Sequence, residues 1–217
     1  MNRLYSKSTL VVLSVLSASF YNAWLLGYWL NPAIMHNQLL SSLQAEQQPY
    51  SDVFIGADIV GGAVVILLTI GLFLNEKSVR ASKASHFSSS LKLRNMTISG
   101  LFGFGISTII AALTSDNWKE NSNMLHSPLE FLHGFFSTFA LLILCLSMVA
   151  SFILFEEWLT RSLVSLYFLS LLLSIYIFGR VLSSMGQKIN TIIIGVWIIS
   201  VTVSMIHEYA ETHQEEI

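Results

Sequence analysis

Charged residues are scarce in this sequence: Asp, Glu, Lys and Arg make up only 11% of its 217 residues. A soluble globular domain usually carries about 25% of such residues. The formal net charge is −2, so the chain has no basic field that would attract nucleic acid. With 53% hydrophobic residues, this composition excludes a nucleic-acid-binding domain and indicates a protein that does not fold in water.

Cysteine is almost absent as well. Cys145 is the only one, which excludes an intramolecular disulfide and a cluster of metal-binding thiolates. It lies inside an apolar stretch, where we expect it to behave as an inert small hydrophobic side chain. The sequence also has no Gly-x-Ser-x-Gly elbow and no His-Glu-x-x-His motif, so two familiar hydrolase signatures are missing.

Long apolar runs dominate the sequence instead. A helix needs about 20 mostly apolar residues to cross roughly 30 Å of hydrocarbon, and six stretches meet this requirement. They are too long and too uniformly apolar for the strands of an outer-membrane barrel, and helices satisfy the backbone in lipid. The six stretches are about Thr9–Leu30, Val53–Leu74, Met96–Thr114, Leu129–Phe155, Leu159–Gly179 and Thr191–Tyr209.

These stretches predict an all-α fold: one polytopic bundle of six transmembrane helices over residues 1–217. The first stretch follows Arg3 and Lys7, as in a signal peptide, but its length of about 22 residues exceeds the apolar region of a signal. Asn31 and Pro32 follow it in place of an Ala-x-Ala cleavage site. We therefore expect a retained first span that ends at this pair.

The distribution of Lys and Arg predicts the orientation, because these residues favour cytoplasmic loops. With the N-terminus inside, eight of the 11 Lys and Arg residues lie on the cytoplasmic side. Both termini are therefore predicted to be cytoplasmic. The three basic residues left on the outside are Lys119, Arg180 and Lys188.

The connector Ala33–Ser51 carries no charge except Glu46. Leu39, Leu40 and Leu43 share one helical face, which predicts a short helix lying on the outer leaflet. An ordinary polar loop is the alternative.

Small residues in three of the spans predict where helices approach closely, because lipid gives apolar helices little other reason to associate. We expect them to form one contact seam that joins the second, third and fourth spans. They are Gly61, Gly62 and Ala63 in the second span, Gly100, Gly103 and Ser107 in the third, and Gly134, Ser137 and Ala140 in the fourth.

Asp58 is an ionisable residue inside an apolar stretch, about six residues from the predicted outer end of the second span. Ionisable side chains at membrane depth are costly and by default suggest a functional site. The alternative is structural: Arg180, or hydroxyl and amide groups of neighbouring helices, satisfy the carboxylate.

A second polar group lies at the entry to the fourth span, where His126, Glu130 and His133 have i, i+4, i+7 spacing. On a continuous helix they share a face, and two imidazoles with a carboxylate suit zinc or a similar divalent metal. The alternative is a capping box with Ser127 at the N-cap and Glu130 at N3. The helix then begins after His126, which leaves His133 as the stronger functional candidate.

Asp58, His126, His133 and Arg180 all belong to the predicted outer half, which favours an outward-facing polar pocket between the second, fourth and fifth spans. Asp58, His133 and Arg180 are the candidate ligand-binding residues. Asp58, His126 and His133 are the candidate metal ligands, and Asp58 with His133 is the candidate catalytic acid–base pair. One interhelical hydrogen bond that fixes helix register is the structural alternative.

Part of the chain carries a recognisable pattern: the segment 41–50, then Phe54, Asp58, Gly61 and Gly62. This pattern resembles a family of six-span prokaryotic membrane proteins classed as domain of unknown function number nine-nine-eight. There, a polar outer loop of the form Ser-Glu-Leu-x-Ala and a proline lead into a second span with an aspartate and a glycine. Ser42 stands where the family has the glutamate, and His133 matches a histidine in the fourth span.

The resemblance covers roughly residues 20–155. It implies a six-helix protein of the prokaryotic plasma (inner) membrane, and it implies no established reaction.

Two hypotheses follow for the function, and both have membrane lipid as the predicted partner. The first is a non-enzymatic membrane protein that binds or transports a small or lipid ligand through the pocket, or serves as an accessory subunit. The second is a membrane-embedded lipid hydrolase, metal-dependent or acid–base, that uses Asp58 and His133. The first is favoured because the sequence contains no complete catalytic constellation. A sensor whose histidines titrate near neutral pH is a third hypothesis, based on residue type alone.

Overall fold

The structure is a computed structural model that describes residues 5–35, 40–45, 48–80, 88–114, 128–178 and 184–214. All regular secondary structure in these ranges is helical. The α-helices are α1 Lys7–Tyr21, α2 Gly27–Leu30, α3 Pro32–Met35, α4 Ser51–Arg80, α5 Ser88–Leu113, α6 Pro128–Leu154, α7 Trp158–Phe178 and α8 Ser184–Gln214, and 3-10 turns occupy Ala23–Leu26 and Leu40–Gln44.

Helices α4 to α8 are each long and apolar enough to cross a membrane. Helix α1 reaches the required length together with Ala23–Leu30, so the described part of the chain has five helices that are able to span a membrane, or six if this bent pair is one span. The prediction of an all-helical, multi-pass membrane protein is therefore confirmed. The orientation of the termini stays a prediction.

The first predicted span is bent by 44° between Lys7–Tyr21 and Ala23–Leu30. The side chain of Asn22 lies at the bend, where its Nδ2 donates to the carbonyls of Ala18 at 2.9 Å and Thr191 at 3.2 Å. Its Oδ1 accepts a hydrogen bond from Trp24 Nε1 at 3.2 Å. An asparagine amide that competes for backbone carbonyls favours a helix end, so the span is a helix, a break and a short second segment.

The long helices form a closed ring in chain order. Helix α1 packs on α4, α4 on α5, α5 on α6, α6 on α7, α7 on α8, and α8 returns to α1. Their outward faces expose large apolar side chains such as Leu142 and Leu172, as expected for helices surrounded by lipid. The largest side chains buried in the core of the ring include Trp197, Tyr167, Leu101, Leu144 and Met148.

Glycines bring the backbones of neighbouring helices together on two sides of α5. A Cβ atom added to Gly62 of α4 would lie 2.6 Å from the carbonyl oxygen of Gly105. A Cβ atom added to Gly100 would lie 2.6 Å from the Cβ of Ser147 in α6. The small residues therefore form two seams, one between α4 and α5 and one between α5 and α6.

Two of the predicted seam residues lie elsewhere. An added Cβ on Gly61 would meet Phe20 of α1, at 3.2 Å from its Cβ. An added Cβ on Gly134 has no described atom within 4 Å. The prediction of a single seam is therefore wrong. Gly61 and Gly62 are adjacent on α4 and face different helices, and Gly134 lies beyond the close contact of α5 with α6.

The connector after the first span packs into the bundle and does not lie on its surface. Leu43 is 1% exposed and Gln44 is 7% exposed. The prediction of a helix on the outer leaflet is therefore wrong for the described part of the connector, while Leu39 lies outside the described residues. A second apolar cluster holds the connector in place and consists of Trp24, Met35, Leu43 and Phe54.

The first turns of α8 tether this connector through two hydrogen bonds. The side-chain carbonyl of Gln187 accepts from the backbone N–H of Leu40 at 2.7 Å. The ammonium group of Lys188 donates to the carbonyl of Met35. Lys188, which the sequence places in an outer loop, therefore lies buried inside a helix.

Candidate functional site

A partly open cavity of about 190 Å³ lies at the end of the ring where α4, α6 and α8 begin. This volume is several times the ~30 Å³ that one water molecule occupies in the liquid, so the cavity has room for several waters or a ligand of a few heavy atoms. All six long helices and the connector contribute to its wall. The polar side chains of the wall include Tyr21, Gln44, Asp58, His133, Tyr167 and Asn190.

Asp58 reaches the cavity from the second turn of α4. Its Oδ2 accepts a hydrogen bond from Gln44 Nε2 at 2.5 Å, and Tyr21 of α1 lines the same cavity. The predicted amide partner therefore comes from the buried connector. Arg180, the other predicted partner, lies outside the described residues.

His133 reaches the cavity from the second turn of α6. Its Nδ1 lies 2.8 Å from the carbonyl oxygen of Ala111, in the last turn of α5. A carbonyl oxygen can only accept, so Nδ1 carries a hydrogen, and whenever the ring is neutral its lone pair lies on Nε2. His133 thus joins two helices and retains one nitrogen that can accept a proton or a ligand hydrogen bond.

Asn190 of α8 lines the same cavity and is only 3% exposed. Both its Nδ2 and its Oδ1 are buried without a hydrogen-bond partner among the described residues. A buried polar group without a partner costs about 1–3 kcal/mol, and such groups in native proteins are commonly satisfied by ordered water or a ligand. Asn190 therefore adds a buried amide without a described partner to the residues of the wall.

Tyr21 of α1 and Tyr167 of α7 are two aromatic residues that line the wall. The ring of Tyr21 meets that of Phe104 edge-on, with centroids 5.2 Å apart and an interplanar angle of 73°. The hydroxyl of Tyr167 lies 4.0 Å from the thiol of Cys145, which is a weak sulfur hydrogen bond. The site therefore combines polar groups with aromatic surface.

Asp58 and His133, the two main candidates from the sequence, line one cavity, but most of the predicted cluster lies outside the described residues. His126, Ser127 and Arg180 are among the residues without a description, and Glu130 lies in the first turn of α6 without a described side chain. The capping box and the ligand-binding role of Arg180 stay predictions.

No group of three or more His, Cys, Asp or Glu residues that could hold a metal ion occurs among the described residues. Asp58 and His133 are two of the three proposed ligands, and His126 is the third. The divalent metal stays a prediction, since its ligand set includes this residue outside the described ranges.

The sequence carries no strong signal for Gln44, Asn190 or the two tyrosines. Asn190 directly precedes the sixth apolar stretch, so the sequence predicts it outside the span, whereas α8 begins at Ser184. Gln44 belongs to the connector that the sequence predicts at the surface. Tyr21 and Tyr167 are amphipathic residues within apolar stretches, where membrane helices commonly carry them.

No protein-family model, curated protein or solved structure matches this chain. The resemblance of residues 20–155 to domain of unknown function number nine-nine-eight therefore stays a prediction.

Proposed function

We propose that this protein is an integral membrane protein that binds a small polar ligand in the cavity between its helices and does not transform it. The unpartnered amide of Asn190 carries this proposal. A buried amide with a free donor and a free acceptor is costly, and a ligand with a matching acceptor and donor removes that cost. Asp58, Gln44 and His133 in the same wall offer further hydrogen bonds.

The size of the cavity supports a small ligand. Pockets for drug-sized molecules measure about 300–1,000 Å³, whereas this cavity measures about 190 Å³. The polar side chains grouped in its otherwise apolar wall favour a compact polar solute or a lipid head group over an acyl chain. With the predicted orientation, the cavity opens to the outside of a prokaryotic plasma membrane.

The test is a thermal unfolding screen of the purified protein against small solutes that differ in one functional group. Methylammonium, tetramethylammonium, acetate, phosphate, glycerol and urea are suitable probes. A ligand that binds only the folded state raises the thermal midpoint. We expect at least one probe to do so in the wild type and not in Asn190→Leu. A screen in which no probe shifts the wild type, or all shift both proteins equally, contradicts the proposal.

A lipid hydrolase that uses Asp58 and His133 is the second candidate function. The tautomer of His133 favours it, because the lone pair on Nε2 is the form that a general base requires. Release of fatty acid or head group from phospholipid vesicles by the wild type, lost in His133→Ala, would establish this function and replace the first. We expect no turnover.

A further inference from the structure

We infer that the ligand of this cavity is a small organic cation, an ammonium compound that also carries a neutral polar group and whose charge pairs with Asp58. This inference rests on the proposed function and adds the chemical class of the ligand. Three features of the wall support it: its charge, its aromatic surface and its unpartnered amide.

The charge of the wall is negative and uncompensated among the described residues. Among the described residues, Asp58 is the only one with a carboxylate that lines the cavity, and no Lys or Arg of these ranges lines it. Gln44 gives Asp58 a hydrogen bond but no charge. The ammonium of Lys188, buried at the same end of the bundle, donates to the carbonyl of Met35. A buried carboxylate without a counter-charge is energetically costly. A cationic ligand therefore complements this wall, and an anion does not.

Five aromatic residues line the cavity beside its aliphatic ones. Ammonium groups are attracted to aromatic faces, and cages of aromatic rings are a known means of binding quaternary ammonium. Tyr21 packs edge-on against Phe104, and both residues line the cavity together with Asp58. The aromatic residues of the wall are Tyr21, Trp24, Phe54, Phe104 and Tyr167.

Asn190 accounts for the neutral polar group of the ligand. Its Nδ2 can donate to a hydroxyl or ether oxygen, and its Oδ1 can accept from a hydroxyl or an ammonium N–H. Asp58 comes from α4 and Asn190 from α8, so one molecule in the cavity meets two helices of the ring. An amino alcohol has both groups within the few heavy atoms that about 190 Å³ allows.

The experiment is isothermal titration of the detergent-purified protein with choline, ethanolamine and 3,3-dimethylbutan-1-ol, a neutral compound with the shape of choline. We expect at least one of the two cations to bind, and the neutral compound to bind at least about tenfold more weakly than that cation or not at all. Asp58→Asn should weaken cation binding by at least about tenfold, since it removes the charge and keeps the shape.

Asp52→Asn is the matched control. Asp52 lies in the first turn of the same helix, is exposed and does not line the cavity. We expect its affinity for the cations to stay within about twofold of the wild type. Arg180→Gln should likewise leave the affinity unchanged, because the inference makes the ligand, and not Arg180, the partner of Asp58.

The outcomes separate this inference from the proposed function. Equal binding of choline and the neutral compound overturns the inference that the ligand is a cation, and so does unchanged cation binding in Asp58→Asn. Either result leaves the proposed binding cavity in place. Tighter cation binding in Arg180→Gln also overturns it, since Arg180 would then occupy the site. No binding of any compound, together with a failed solute screen, overturns both the inference and the proposed function.

Repeating the titration in phosphatidylglycerol and phosphatidylethanolamine nanodiscs distinguishes a free amine from a lipid head group, because only phosphatidylethanolamine competes for a head-group site.

Discussion

Asn190 and Asn22 are two asparagines of the bundle with opposite environments. The amide of Asn190 has no described partner, whereas that of Asn22 bonds to Ala18, Thr191 and Trp24. In the ligand-free protein we expect Asn190→Leu to raise the free energy of unfolding by about 1–3 kcal/mol, because it removes an unsatisfied buried group. Asn22→Leu should lower it by a similar amount, since it leaves the indole N–H of Trp24 without its acceptor. Thermal unfolding in detergent measures both.

An unchanged or lower stability of Asn190→Leu would show that ordered water already satisfies the amide. The pair is informative because the same substitution is made at both positions, so a general effect of leucine on the detergent-solubilised protein cancels.

His133 offers a second prediction for a single residue. Asparagine can place its amide N–H near the position of Nδ1, so His133→Asn should keep the hydrogen bond to Ala111 and the stability of the wild type. His133→Leu removes the donor and should cost about 0.5–1.5 kcal/mol. Equal losses in the two variants, measured by thermal unfolding, would show that the ring packs but does not bond.

Single residues show how far the sequence determines the site. Asp58 and His133 could be predicted because an ionisable residue within an apolar run is conspicuous. Asn190, Gln44 and Tyr21 could not, since an amide near a span end and a tyrosine within a span are ordinary in membrane helices. Their role depends on which helices meet, and no local pattern encodes that.

At the scale of helices, the packing of α4 against α5 depends on Gly62. An added Cβ there would lie 2.6 Å from the carbonyl of Gly105 and 2.7 Å from Cγ1 of Ile109. We therefore expect Gly62→Ala to separate the two helices and to lower the free energy of unfolding by about 1–3 kcal/mol.

Gly56→Ala is the control in the same helix, because an added Cβ on Gly56 meets no described atom within 4 Å. It should be neutral or slightly stabilising, since alanine has the higher helix propensity. Similar losses of thermal stability in both variants would contradict the close approach of α4 and α5.

The spans themselves could be predicted because their apolar length is a direct requirement of the bilayer. The connector could not, and the reason is physical: Leu43 and Gln44 are buried by contacts with Trp24 and Asp58, which are distant in sequence. The bend of the first span could not be predicted for a similar reason, since the amide of Asn22 bonds to Thr191 in another helix.

For the whole molecule, the closed order of the ring places the starts of α4, α6 and α8 at one end, together with the cavity. The distribution of Lys and Arg predicts that this end faces outward. Reporter fusions after Lys83 and after Glu120 test the orientation. We expect the first fusion to report the cytoplasm and the second to report the exterior. The reverse result would show that the protein has the opposite orientation in the membrane.

The central claim is that a polar cavity between membrane helices is reached by solutes from one side, and thiol labelling tests it most directly. The background is Cys145→Ala, which removes the only cysteine. Thr108→Cys introduces a thiol into the cavity wall, and Thr202→Cys makes the same change at a fully buried position.

Intact cells are treated with a small, membrane-impermeant, cationic methanethiosulfonate reagent. We expect Thr108→Cys to react from outside and Thr202→Cys to remain unmodified. If the thiol at position 108 is as unreactive as the thiol at position 202 when the reagent is applied from either side of the membrane, the claim that solutes reach the cavity is contradicted.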